Sequence, residues 1–231
     1  MMQQDLFGPY LTLNAGVRQQ HSSQFGNEWV PQAGLILRPY AGGRLKFNFS
    51  KGFRAPNLRE LYMYRPANPD LKPESMLNYE IEYRHQMLDG SLDLGLALYF
   101  IDAKDMIQTS MVDGKPLNVN TGKFINKGFE LDAAWRINSF MRFSANYAYL
   151  HTTSDNLLAA PKNKLDEQLD ITPGPWAFTI SNNNVWSLYT GNPDAKENYS
   201  MLNLRAAYSF HKPGTKITPF VKVDNITNKH Y

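Results

Sequence analysis

The sequence predicts an all-β protein: an antiparallel up-and-down meander of about eleven long strands, forming part of a transmembrane β-barrel. Three observations predict it. Hydrophobicity alternates with a period of two, loop lengths alternate between short and long, and aromatic residues gather near the strand ends. Successive side chains of a strand point to opposite faces, so each alternating segment is a ribbon with one apolar and one polar side.

Taken in order, strands are expected near 10–21, 30–39, 44–54, 75–88, 91–108, 124–137, 141–153, 163–171, 176–189, 199–210 and 216–226. Leu45, Phe47 and Phe49 alternate with Lys46, Asn48 and Ser50; Leu77, Tyr79, Ile81 and Tyr83 alternate with Asn78, Glu80, Glu82 and Arg84. The run Leu92-Asp93-Leu94-Gly95-Leu96-Ala97-Leu98-Tyr99-Phe100 keeps Leu or Phe at every even position. Phe129, Leu131, Ala133, Trp135 and Ile137 repeat the pattern, as do Leu202, Leu204, Ala206, Tyr208 and Phe210, and then Ile217, Val221 and Val223. Short turns are expected at 40–43, 89–90, 138–140, 172–175 and 211–215, and longer connections at 22–29, 55–74, 109–123, 154–162 and 190–198. In a meander, alternate connections share one end of the sheet. All the short turns then lie together, opposite all the long loops, as in an outer-membrane barrel.

Strand length, polar-face chemistry and aromatic placement separate such a barrel from a soluble β-sandwich binding module, the alternative that these ribbons also permit. Most segments run nine residues or more, as a tilted spanning strand must, whereas sandwich strands run nearer five or six. The polar faces carry charge, which suits a hydrated lumen. Tyr40, Trp135, Phe140, Trp176 and Phe210 lie by the short turns, and Trp29, Tyr149, Trp186 and Tyr189 lie toward the long loops. Such rings suit the half-wet bilayer interface.

Composition narrows the function. The 231 residues contain 24 Lys+Arg and 21 Asp+Glu, a net charge of +3, without the concentrated basic stripe of a nucleic-acid protein. A hydrophobic content of 42% is too apolar for disorder. The absence of cysteine excludes disulfides, Cys-ligated zinc, iron–sulfur clusters and thiol nucleophiles. Apolar runs fall far short of the roughly 20 residues of a membrane-spanning helix, and the opening residues do not resemble a signal peptide. His21, His85, His151, His211 and His230 are scattered without ligand spacing. Asp102 and Asp105 beside Lys104 read as a lumen salt-bridge ladder, and Asp155, Asp166, Glu167, Asp170 and Asp194 lack the order of a calcium loop. The methionines, Met76, Met87, Met141 and Met201 among them, read as lipid-facing filler. No phosphate cradle or nucleophile elbow occurs. Neither an enzyme nor a cofactor is expected, and an outer-membrane adhesin remains a second alternative.

Several segments carry a family resemblance. The stretch from Lys51-Gly52-Phe53-Arg54-Ala55-Pro56-Asn57-Leu58-Arg59-Glu60-Leu61 to Tyr62 resembles a segment of TonB-dependent outer-membrane receptor barrels. So do Asn68-Pro69-Asp70-Leu71-Lys72-Pro73-Glu74, Asn126-Lys127-Gly128-Phe129-Glu130-Leu131, and Ala160-Pro161-Lys162-Asn163-Lys164-Leu165, where the family more often has His at position 163. Val223-Asp224-Asn225-Ile226-Thr227-Asn228-Lys229-His230-Tyr231 is similar to the family's penultimate strand and its exit. Residues 7–32 and 118–124 look most like versions from Bacteroides-type bacteria.

The resemblance implies a 22-stranded barrel filled by an N-terminal plug, of which residues 1–231 would be the C-terminal portion, without the plug or the last strand. It implies residence in the outer membrane among its lipids and uptake of a scarce nutrient such as a ferric siderophore, haem, cobalamin or glycan. It also implies energy from the TonB complex, reached through the plug and its TonB box, and it allows a surface lipoprotein partner. Eleven strands do not close an up-and-down barrel, which in single chains uses even numbers, so these strands alone are not expected to transport. Pro56 ends ladder pairing and sends Arg54, Arg59, Tyr62, Tyr64 and Arg65 to the outer mouth. Guanidinium forks and phenol rings there suit an anionic or aromatic ligand. Position alone points more readily to a brace for the loop through Glu60 or Asp70, or to a contact with the plug.

Overall fold

A computed structural model describes residues 2–153, 158–191 and 196–229. Twelve strands form one continuous antiparallel sheet: β1 (Met2–Leu6), β2 (Leu11–Ser22), β3 (Gly26–Leu37), β4 (Gly43–Arg54), β5 (Glu74–Met87), β6 (Leu92–Lys104), β9 (Lys123–Arg136), β10 (Met141–Thr152), β11 (Asn163–Ile171), β12 (Trp176–Tyr189), β13 (Lys196–Tyr208) and β16 (Phe220–Val223). Two hairpins lie outside it: β7 (Ile107–Val112) with β8 (Lys115–Asn120), and β14 (Phe210–Lys212) with β15 (Thr215–Ile217). Each strand of the large sheet pairs with its neighbour in chain order, leaving β1 and β16 as open edges.

The register confirms the two faces. Phe49, Tyr79, Phe100 and Lys127 share a row, and Phe47, Ile81, Leu98, Phe129 and Tyr149 share the next. The opposite face carries Arg44, Arg84, Gly95, Asp132 and Asn146 in one row. Among the described residues the buried apolar side chains are few, Leu61, Leu71, Ala103, Val185 and Ala207 together with Pro56, and no large side chain is fully enclosed. A compact chain of 26.4 kDa exposes about 10,600 Å², against 15181 Å² here. Among the described residues no second large sheet packs against the apolar face, so the β-sandwich alternative is not realised. The apolar face is left exposed, with Tyr79, Ile81, Leu94, Leu98 and Leu131 among its open side chains.

Four local expectations are corrected. The meander has twelve strands, because the short polar segment β1 pairs with β2 from Leu6↔Leu11 to Met2↔Ala15. The connection expected at 22–29 is a tight turn of residues 23–25, where the Ser22 hydroxyl accepts the Gln24 and Phe25 backbone N–H groups at 3.3 and 3.4 Å. The strand expected to run to 108 stops at Lys104, and the chain re-forms as the β7–β8 hairpin through Asp113-Gly114, both at positive φ. The last strand is shorter than 216–226: Pro213-Gly214 folds residues 210–217 into the second hairpin, so β16 begins only after Pro219.

Candidate functional site

The site is built on the longest loop, residues 55–73 between β4 and β5. Pro56, Leu61 and Leu71 are buried and give the loop a small core of its own. One helical turn, α1 (Leu58–Leu61), starts there because Asn57 caps it. The Asn57 side chain accepts the Glu60 N–H at 3.0 Å, and the Glu60 carboxylate accepts the Asn57 N–H at 2.9 Å, a capping box.

Arg54, the last residue of β4, holds this turn to the sheet. Its Nη1 donates to both Glu60 carboxylate oxygens at 3.0 and 2.9 Å, and its Nε donates to Glu74 at the start of β5. Glu74 is buried, and its other oxygen accepts the Ile107 N–H at 2.7 Å, which ties in the β7–β8 hairpin. Burial raises the pKa of Glu60, but the Arg54 guanidinium and the Asn57 N–H outweigh it and hold the carboxyl below its ordinary range. The hairpin is pinned further by amides: Asn118 N–H donates to Pro66 O at 2.7 Å, Asn68 Nδ2 to Asn118 O at 2.8 Å, and Lys72 N–H to Asn120 Oδ1 at 2.8 Å. Two loops that are distant in sequence thus form one platform.

The five sequence-predicted residues divide on this platform. Arg54 is engaged in the brace, through Glu60 as expected but with Glu74 rather than Asp70 as its second partner. Arg59 and Arg65 are exposed and make no ion pair among the described residues. Tyr62 is exposed, its hydroxyl accepting from Gln24 Nε2 at 3.1 Å across the β2–β3 turn, and Tyr64 is 82% exposed. Sequence reasoning missed Glu74, Asn118 and Asn120. The only signal for them was the spacing of Asn and Pro in residues 68–73, read simply as rigid loop chemistry.

Below the platform the inward face carries a charge ladder. Arg44 meets Glu82 at 2.8 Å, and Lys46 lies 3.7 and 3.6 Å from Glu80 and Glu82. Arg84 reaches Asp93 at 2.5 Å and Asp132 at 2.8 Å. The second reach crosses Gly95, where a Cβ would stand 1.9 Å from the Asp132 carboxylate, so glycine is what opens this path. Asp102 does not join the ladder: it shares the outward row of Leu77 and Ile125 and pairs with Lys123 at 3.0 Å. Met76 and Met201 lie on the inward face, because they pair with Gly52 and Asn183, and so are not lipid-facing filler. Asp166 and Asp170 point inward and Glu167 outward, so these carboxylates do not converge, while Asp155, Asp194 and His230 lie outside the described residues. Among the described residues no three His, Asp or Glu side chains are placed to share a metal ion.

A single charged-lumen sheet with a braced loop platform at one end matches one family model, TonB dependent receptor-like β-barrel, over residues 3–226. The chain belongs to this family. Family membership places the receptor chain in the outer membrane, and its relatives are transporters and receptors rather than enzymes. It is 23% identical to the vitamin B12 transporter BtuB of Vibrio vulnificus over 96% of its own length and 36% of the relative's. It is 31% identical to BtuB of Photobacterium profundum over 66% of its length and 24% of the relative's. Among solved structures, the siderophore receptor PirA of Pseudomonas aeruginosa superposes with a TM-score of 0.79 at 20% identity, covering 97% of this chain and 41% of that one. The copper transporter OprC superposes at 0.76 with 17% identity, covering 97% and 41%. The chain therefore spans well under half the length of the receptors it matches.

Proposed function

We propose that this chain is the C-terminal portion of a receptor barrel, completed by further strands and a plug, that takes up a scarce nutrient across the outer membrane with energy from the TonB complex. The observation that carries this reading is the family match across residues 3–226. Coverage of 36–41% of the relatives' length supports a whole receptor about two and a half times as long as this chain. Contact with TonB would run through the plug and its TonB box, and a surface lipoprotein would engage the loop end. Residues 7–32 and 118–124 support a Bacteroides-type lineage.

The cargo class we favour is an anionic or aromatic chelate, among them a ferric siderophore, haem or cobalamin, ahead of an uncharged glycan. Arg59, Arg65, Tyr62 and Tyr64 stand exposed on the platform, while Arg54 is used up beneath them. Guanidinium groups bind carboxylates and phosphates in bidentate geometry, and phenol rings stack on planar ligands. Uptake of labelled ferric siderophores, haem, cobalamin and oligosaccharides by cells producing the whole receptor, with and without TonB, tests the proposal. TonB-dependent accumulation of one of them, cut at least tenfold by combining Arg59→Ala, Tyr64→Ala and Arg65→Ala, is the expected result. Uptake indifferent to TonB overturns the transport reading, and uptake indifferent to the triple substitution overturns the site.

A further inference from the structure

The longest connection at the short-turn end runs from β13 to β16 and carries the β14–β15 hairpin. Its ladder keeps the register of the sheet: Ala207↔Phe220 continues as Phe210↔Ile217, His211↔Lys216 and Lys212↔Thr215. Tyr208 N–H donates to Pro219 O at 3.1 Å, and Ser209 N–H donates to Pro175 O at 2.8 Å. The two faces therefore carry over from β13. Phe210, Lys212, Thr215 and Ile217 share the outward face of Tyr208, and His211 and Lys216 share the other.

Aromatic rings run down that outward face. Phe178 stacks on Trp176 at 5.7 Å between ring centroids, Trp176 meets Tyr208 edge-on at 4.8 Å, and Tyr208 meets Phe210 at 4.6 Å. Phe210 and Ile217 end the column, both more than half exposed. At about 3.4 Å per residue and a tilt of about 45°, Phe210 lies about 5 Å and Lys212 about 10 Å beyond Tyr208. A headgroup layer is about 5–8 Å deep, so the apolar pair falls inside it and Lys212 at its aqueous edge. Lys216 reaches the same layer by its four-carbon stem. Residues 209–219 hold Lys212, Lys216 and His211 and no acid, and neither lysine makes an ion pair among the described residues. The other short turns differ. Residues 7–10, 38–42, 88–91, 137–140 and 172–175 carry only Arg38 and Asp89 as charged residues. Arg38 turns back to donate to Pro9 O at 3.1 Å and Thr12 Oγ1 at 3.0 Å.

We infer that the β14–β15 hairpin is an anchor for an anionic phospholipid in the inner leaflet of the outer membrane. Phe210 and Ile217 enter the headgroup layer beside the Trp176–Tyr208 girdle, while Lys212 and Lys216 meet the phosphate and the net charge of the headgroup. Neither signal is enough alone. Apolar insertion without charge suits any lipid, and cations without apolar contact suit any soluble anion. The two on one hairpin select a negatively charged interface. A periplasmic protein seated here would have to share the outward face with the bilayer that meets the same ring column. The inference rests on the membrane-barrel reading and on neither the cargo nor TonB, so the uptake assay and the test below fail separately.

Residues 1–231 contain no cysteine, and any elsewhere in the receptor is replaced by serine, so one spin label reports one position. The whole receptor, labelled at Thr215→Cys, is placed in phosphatidylethanolamine–phosphatidylcholine vesicles with or without phosphatidylglycerol. Access of a neutral nickel chelate to the label reads its immersion, and Ser139→Cys in the uncharged 137–140 turn is the comparison. Phosphatidylglycerol is expected to cut access at position 215 at least threefold and to leave position 139 unchanged. Combining Lys212→Glu with Lys216→Glu restores access, as does about 1 M salt, where charge is screened within about 3 Å. Equal access at 215 in both vesicles, a drop that survives the two glutamates and salt, or an equal drop at 139 overturns the inference. So does a label open in every vesicle and covered only when the periplasmic domain of TonB is added. Should the double variant fail to migrate as a folded barrel in unheated gels, the lipid and salt comparisons on the otherwise unaltered receptor decide.

Discussion

Neighbouring residues of β6 face opposite solvents. Leu94, Leu96, Leu98 and Phe100 point outward, while Asp93, Gly95, Ala97 and Tyr99 point into the lumen. The outward face needs no partner for any one side chain, because lipid adapts to shape, but it punishes charge. The inward face accepts charge only as a placed set: Arg84 spans two strands to reach Asp93 and Asp132, and Tyr99 lies over Gly128 to donate to Tyr149 O at 3.2 Å. One strand therefore obeys two rules, one set by composition and the other by geometry.

The largest expected effect tests that contrast within a single strand. Leu98→Arg places a charge at mid-depth on the lipid face and costs about 2–4 kcal/mol, whereas Ala97→Arg, facing the lumen beside Glu130, changes stability by less than about 1 kcal/mol. Denaturant unfolding of the barrel from bilayers measures both, and equal losses would break the assignment of faces. Next comes the platform. Glu74→Ala leaves the Ile107 N–H without its buried acceptor and costs about 1–3 kcal/mol, read as faster amide exchange at Ile107 and faster proteolysis within 105–122. Asn57→Ala removes the cap of α1 and costs about 1 kcal/mol locally, seen as exchange of the Glu60 amide with no change in the sheet.

Acidification separates the loop from the lumen in another way. The Glu60 carboxyl is held below its ordinary range, so its stabilising contribution is complete above the usual carboxylate value of about 4.3 and is lost as pH falls through the lower folded value. Exchange at residues 57–61 should accelerate on that descent, and Glu60→Gln should flatten the profile. The smallest effect belongs to Lys222 and Asp224, paired at 2.9 Å near the open edge and more than half exposed. Lys222→Ala should change stability by less than about 0.5 kcal/mol. A larger loss would show that β16 is held by more than its four-residue ladder with β13.

The repeating part of the fold was legible because alternation is local. Leu92 to Phe100 declares a two-faced ribbon without reference to any other strand. β1 was illegible because Met-Gln-Gln-Asp-Leu carries no alternation and is a strand only through its pairing with β2. The β7–β8 hairpin was read as loop, since its turn signal, Asp113-Gly114, lies between strands too short to show a period. Among the site residues, Arg54 looked like Arg59 and Arg65, three arginines in one stretch from the end of β4 into the loop. Only the fold separates the one held by Glu60 and Glu74 from the two left exposed.

The sequence by itself determined the all-β meander, the sidedness of the strands, the end at which the long loops lie, and the family motifs. It even contained the outward carboxylate, because Leu165, Leu169 and Ile171 share the phase of Glu167. Tertiary structure alone decided which residues meet: Glu74 with Ile107, Asn118 with Pro66, Arg84 with Asp132 across Gly95, and Glu167 with Asn182. The physical reason is range. The direction of a side chain follows from its own backbone and the parity of its position, whereas a partner 15 to 52 residues away follows from strand register, which no single segment encodes.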